Sequence, residues 1–402
     1  MRPLSESDDN APPPPVAAAY ISTFLPSDMR HVYRQVVGLG DFRAAVLTRK
    51  RQNEEAFPLH KKWVDILPRP RTRALRRWWF AKIKAAPVPM TAGGVRDALY
   101  AIQKHRAEVL HVYFGNTAAE LLPLLRVVRT PVVVSFHGAD AGVDAEKPAY
   151  RAALAEVFSL AELVLARSTS LLDQLRALGC PKEKLRINRA GVPSVSIPFH
   201  ERDTPPADGA WRFLQVCRLV EKKGLPVALQ AFATVSAEHP NAHFDIAGDG
   251  PLRAELESLA SSLGIAEKVT FHGFLNMKAV TELARAAHYF VHPSQTAADG
   301  NCEGVPNAML EAMTTGTPVL ATRHGGIPEA VEDGVAGRLV EEGDAEGLAA
   351  ATLELLAEPD RYPAMSRAAR AAIDETFSLT NTIARLEDCY REAIEIAKAA
   401  GK

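Results

Sequence analysis

Cysteine is scarce: four in 402 residues (Cys180, Cys217, Cys302, Cys389), with no paired spacing. That excludes a disulfide scaffold and a cysteine zinc motif, and it fits a reducing compartment. Net charge is almost absent as well. At a formal −1 there is no global field to draw the chain to nucleic acid, so no nucleic-acid partner is expected. No run reaches the ~18 apolar residues of a membrane span. The N-terminus shows no apolar segment flanked as in a signal peptide. The expectation is a cytoplasmic protein that could still touch the inner face of a membrane. Two motifs are also missing: a GxGxxG turn with an acidic residue ~20 positions on, which a dehydrogenase needs, and an Asp-x-Asp pair of the kind that holds a metal.

What remains is ordinary for a globular chain, with 47% hydrophobic and 24% charged residues. The length suggests two domains or one large one. Residues 1–15 end in four prolines and read as disordered. From 16 onward, short apolar runs alternate with helical periods: 16–22, 42–48, 109–113, 131–136, 163–166 and 185–187 read as strands. Residues 193–210, with four prolines, read as a linker. The alternation then restarts, with strands at 212–216, 242–247, 269–271, 288–291, 317–321 and 338–340. This is βαβ order, hence parallel sheets covered by helices.

Most of the chemistry lies between His292 and Glu329. Glu303 and Glu311 are separated by seven residues within EGVPNAMLE. Pro306 suits the first position of a helix running through Met313, and the N-terminus of such a helix favours an anion. A second turn, HGGIPE with Gly325, Gly326 and Glu329, follows the run TPVLA. Two such turns could converge on one ligand, amides on phosphate and carboxylates on hydroxyls. A buried helix with a capping Glu is the plain alternative. Arg218 and Lys223, five residues apart after a strand, could neutralise a diphosphate; two solvated cations would look the same. Gly248, Asp249 and Gly250 form a tight turn. His137 follows the strand PVVVSF, and His111 is read as structural.

Taken together, these residues resemble the donor domain of retaining glycosyltransferases of family 4. The resemblance rests on CRLVEKKG, GDGP, HGF, EGVPNAMLE and GTPVLATRHGGIPE, and it extends to SFHGAD in the first half. The subgroup most similar makes colanic-acid-type exopolysaccharide and lipopolysaccharide. The resemblance implies an α/β, GT-B fold of two facing Rossmann-like domains. The first would span 16–195, with a C-terminal helix at 380–402 packing back on it. The second, 196–379, would bind the nucleotide-sugar donor. Arg218 and Lys223 would hold the donor diphosphate, and Glu311 the ribose. Glu303 and His137 would face the donor sugar, assisted by the amides of Gly304, Val305 and Pro306. The base would lie near Gly273 and Phe274, with Gly248, Gly250, Gly325 and Gly326 shaping the site. No cofactor and no metal are implied.

One departure stands out. STFLPSD occupies 22–28, where many members carry a Gly-Gly loop close to the donor phosphates, so the resemblance does not carry over a first-domain part in phosphate binding, and a different acceptor pocket is expected. The segment 61–86 interleaves basic residues with Trp63, Trp78, Trp79 and Phe80. It reads either as a solvated helix with its aromatic face in the core, or as a contact through 69–80 to anionic lipid or a lipid-linked acceptor. Alternative readings of the whole are transfer to a small soluble acceptor and a non-catalytic nucleotide-sugar-binding module.

Overall fold

A computed structural model describes residues 13–26, 29–142, 147–199, 209–298, 300 and 302–402. Positions 1–12 of the expected disordered terminus and 200–208 of the expected linker lie outside the described residues.

The strands are β1 (Val16–Tyr20), β2 (Arg43–Thr48), β3 (Val64–Ile66), β4 (Ala107–Tyr113), β5 (Val132–Ser135), β6 (Leu163–Ala166), β7 (Leu185–Ile187), β8 (Arg212–Val216), β9 (His243–Ala247), β10 (Val269–Gly273), β11 (Tyr289–His292), β12 (Val319–Thr322) and β13 (Gly337–Val340). They form a seven-stranded sheet of order β3-β2-β1-β4-β5-β6-β7 and a six-stranded sheet of order β10-β9-β8-β11-β12-β13. The pairs whose register is resolved run parallel. Parallel strands covered on both faces read as unbroken apolar runs, which explains why LVLA, VVVS and YFVH were legible as strands. Compact packing divides the chain into one unit of 1–135, 149–164 and 383–402, and another of 136–148 and 165–382.

In the second unit, alternate strand residues feed two separate cores. Phe213, Tyr289 and Leu320 pack with Trp211, Phe232 and Phe244. Their neighbours Leu214, Phe290 and Val319 pack with Met309, Leu310 and Phe377. The period of two along a strand sends successive side chains to opposite faces, so each pair must split this way. In the first unit, His111 is buried on β4, stacks on Tyr113 at 4.0 Å and meets the Tyr390 hydroxyl at 2.8 Å through Nδ1. Its structural role is as expected.

One of the two sequence readings of 61–86 needs correction. The segment 61–86 is not one helix with its aromatics inside. It contains β3, a helix at Arg73–Trp79 and one wider turn at Phe80–Lys84. Trp78 and Trp79 are 54% and 45% exposed, so neither is core. The helices Ala92–Lys104, Pro148–Leu160 and Tyr362–Ala372 and the short β3 were not anticipated.

Candidate functional site

Each sheet has one place where strand order reverses: between β1 and β4, and between β8 and β11. In open parallel sheets the crevice outside the strand carboxyl ends at that point is where ligands bind. The loops leaving β8 and β11 carry Lys222, Lys223 and Glu303. Their side chains meet there: both ammonium groups lie on the same Glu303 oxygen, Lys222 at 2.7 Å and Lys223 at 3.0 Å. Side-chain exposures are only 13%, 12% and 12%, so water screens the triad weakly. Burial pushes the Glu303 carboxyl up, but Lys223 and Lys222 outweigh it and take it down to about 2. Lys222 was missed in the sequence; the doublet KK before Gly224 was its only signal.

Close backbone approach assembles the rest. Gly224 has φ +61°, and a Cβ there would sit 1.7 Å from the Pro293 carbonyl oxygen. Only glycine lets the loops after β8 and β11 touch, and the Gln295 N–H donates to the Lys222 carbonyl at 3.0 Å. Gly248, at φ +136°, lies against the Cys217 carbonyl in the same way. The Leu219 N–H donates to the Asp249 carbonyl at 3.0 Å, and the Gly248 N–H to the Gly273 carbonyl at 2.8 Å. Arg218, Gly248, Gly250 and Gly273 are thereby tied into one rim, with Arg218 exposed and Phe274 75% exposed beside it.

On the other side, the Gly326 N–H donates to the Gly304 carbonyl at 3.0 Å, and a Cβ on Gly325 would meet the Glu303 carbonyl oxygen at 2.2 Å. The His137–Gly138 backbone runs beside Gly304, held by Asp140, which accepts from both N–H groups at 2.8 and 3.0 Å. The helix Asn307–Thr314 starts after Pro306 and has no side-chain cap, so the positive end of its dipole points towards this rim without a capping carboxylate or hydroxyl. The helix after Gly224, Leu225–Glu238, likewise has none. Glu311 lies half-buried on the former helix.

Glu329 corrects an expectation. Its carboxylate does not turn to a ligand; it accepts from Arg189 at 2.5 and 3.1 Å and from the Thr169 N–H at 2.5 Å.

Beneath the triad lies a layer the sequence did not reveal. Buried His324 accepts from the Glu303 N–H at Nε2, 2.9 Å away, so its proton is on Nδ1, which donates to Glu342 at 2.6 Å. Glu342 also accepts from the Thr296 N–H at 2.7 Å. Burial raises the Glu342 carboxyl, and the bonds from His324 and Thr296 outweigh it, so it ionises below the usual range. His324 therefore orients Glu303 through its backbone. His292, fully buried at the end of β11, is driven to about 3 by burial and then by Lys223, and it stays neutral. Burial holds the Cys217 thiol up at about 12, too high to serve as a nucleophile. Arg218, Lys222 and Lys223 bring three cations to these loops, a set suited to a diphosphate, with Glu221 and Asp249 beside them.

Residues 196–372 match the family model of glycosyl transferases group 1, and residues 28–191 that of the glycosyl transferase 4-like domain. The chain is 35% identical over 275 residues to the amylovoran biosynthesis glycosyltransferase AmsK of Erwinia amylovora, covering 68% of this chain and 67% of that one. It is 34% identical over 278 residues to WcaL of Escherichia coli K12, named for colanic acid biosynthesis, covering 68% of each. Among solved structures, Anabaena Alr3699/HepE in complex with UDP superposes with a TM-score of 0.72 at 18% identity, covering 93% of this chain and 98% of that one. Sucrose-phosphate synthase from Thermosynechococcus elongatus gives 0.72 at 19%, covering 94% and 98%. The fold is that of GT-B glycosyltransferases.

Proposed function

This chain belongs to the glycosyl transferases group 1 family, and from that premise we propose that it transfers a sugar from a nucleoside-diphosphate donor with retention at the anomeric carbon and without a metal. The observation that carries this reading is the Lys222–Lys223–Glu303 triad facing the uncapped helix after Pro306. The acceptor hydroxyl adds to the anomeric carbon on the face from which the diphosphate departs. The bond from that carbon to the bridging phosphate oxygen breaks, and the hydroxyl proton passes to the departing phosphate. Charge develops on that phosphate, so Arg218 and Lys223 stabilise the transition state more than the ground state. Glu303 and His137 orient the sugar, and Glu311 takes the ribose hydroxyls. The donor half is proposed as 196–379 and the acceptor half as 16–195 with 380–402; the family matches at 196–372 and 28–191 support that division. The name of AmsK supports a polysaccharide product, and the UDP held by HepE supports a nucleoside-diphosphate donor.

Proton NMR of the product tests the mechanism. The donor's own anomeric form should appear, at a rate unchanged by excess EDTA. An inverted product, or a reaction abolished by EDTA, would sink it.

The acceptor is proposed to be reached at a membrane surface. No helix among the described residues is long and apolar enough to cross a membrane. Leu75, Trp78, Trp79 and Ile83 are 66%, 54%, 45% and 54% exposed on and after the arginine-bearing helix, the composition of an interfacial contact. Co-sedimentation should be strong with anionic vesicles, weak with neutral ones, and reduced in Trp78→Ser/Trp79→Ser. Equal binding of wild type to both vesicle types would remove the surface role.

A further inference from the structure

A cavity of about 250 Å³ in the first unit is unlike the donor rim. A single water needs only about 10–15 Å³ of such space, so the cavity has room for a diphosphate. It opens where β1, β2 and β3 end: Ser22 and Thr23 follow β1, Arg49 follows β2, and Leu67 follows β3. Carboxyl ends of parallel strands are where such sheets bind ligands.

Its walls are cationic. Arg49, Arg69, Arg73, Arg76 and Arg77 line it against one carboxylate, Glu120, whose oxygen is 3.8 Å from Arg49. That is five positive charges against one negative, in a chain whose total is −1. Two of the guanidinium groups are held in place by backbone carbonyls. Arg76 donates to the Pro89 carbonyl at 2.7 Å, and Arg69 Nε to the Arg49 carbonyl at 3.1 Å. Each bond uses one of five N–H donors on a planar fork that matches phosphate oxygens. Thr91, the N-cap of the helix Ala92–Lys104, and Gly94 in its first turn also line the cavity; the Thr91 hydroxyl accepts from the Gly94 N–H at 3.2 Å, and the positive end of the helix dipole lies there. A cluster of like charges around a cavity repels itself unless an anion occupies it. Ser22 and Thr23 stand where many members of the resembling family carry a Gly-Gly loop.

We propose that this five-arginine pocket binds a phosphate or diphosphate group carried by the acceptor. The word acceptor rests on the glycosyl-transfer reading above; the anion site does not. The exposed Leu75, Trp78 and Trp79 on the same short helix would lie beside a lipid tail attached to that group, whereas a soluble phosphorylated sugar would use the arginines alone.

The test is equilibrium binding of inorganic pyrophosphate and of farnesyl diphosphate, each with UDP at saturation to occupy the donor rim. Wild type is compared with Arg73→Gln/Arg77→Gln. Both residues are exposed, so the variant should fold, and its melting temperature confirms that. Affinity for both probes should fall at least tenfold in the double variant and decline with salt, while affinity for UDP stays the same. Tighter binding of farnesyl diphosphate than of pyrophosphate identifies a lipid-linked source, and equal binding a soluble one; the pocket stands in either case. Unchanged pyrophosphate affinity in the double variant overturns the proposal. A wild type that ignores UDP yet loses pyrophosphate binding on arginine replacement sinks the donor reading and leaves the anion pocket standing.

Discussion

Lys223→Ala is expected to lower turnover by about 100-fold or more while the protein remains folded. Removing one fixed donor to developing charge in a water-poor site typically has that effect. Lys223 meets the condition: its side chain is 12% exposed and fixed 3.0 Å from Glu303. The loss should fall mainly on kcat, because charge on the departing phosphate grows after donor binding. Lys222, 2.7 Å from the same oxygen, supplies a second cation. Lys222→Ala should therefore be milder, and the double variant worse than either. Donor consumption under saturating substrates, alongside thermal melting, measures this. Wild-type turnover in a folded Lys223→Ala protein would remove the lysine from the mechanism.

Glu303→Ala should abolish activity and also destabilise the second unit by about 3 kcal/mol, because it leaves two nearly buried ammonium groups without their counter-charge. Chemical denaturation at neutral pH reads the loss. The same carboxylate shapes the acid limb of stability. Its folded value, about 2, lies below the ordinary 4.5. Its stabilisation is therefore complete above about 4.5 and lost as pH falls towards 2. His292 acts in the same direction over a higher window. Folded at about 3 against 6.5, it is neutral in the native state and takes up a proton on unfolding. Stability should thus begin to decline below about 6.5 and fall more steeply below 4.5. Glu303→Ala should keep the decline due to His292, from about 6.5 to about 3, and lose the added steepness below 4.5. An identical acid profile and an unchanged denaturation midpoint in the variant would refute the coupling.

Lys223, Glu303, Gly304, Gly248 and Gly326 could be named from the sequence because each sits in a loop that follows a strand, beside glycine or proline, where the backbone itself announces a turn. The lower layer had no such mark. His324 and Glu342 are 18 residues apart and meet only because β12 and β13 are neighbours. Glu329 carried the same signals as Glu303, yet Arg189 captures it from a distant loop. The helix Pro148–Leu160 is rich in alanine, so its polar and apolar faces contrast weakly in the sequence. β3, at three residues, is too short for an alternation to show.

The sequence by itself determined the βαβ alternation, the parallel sheets and the residues at the strand ends, since apolar runs, periodicity and turn residues are local properties of the chain. Only the tertiary structure decided that two lysines share one carboxylate, that His324 orients it, that Trp78 and Trp79 face outward, and that five arginines enclose a cavity. Those outcomes depend on which loops and strands become neighbours and on how much water remains between charges, and both are set by packing between segments far apart in the chain.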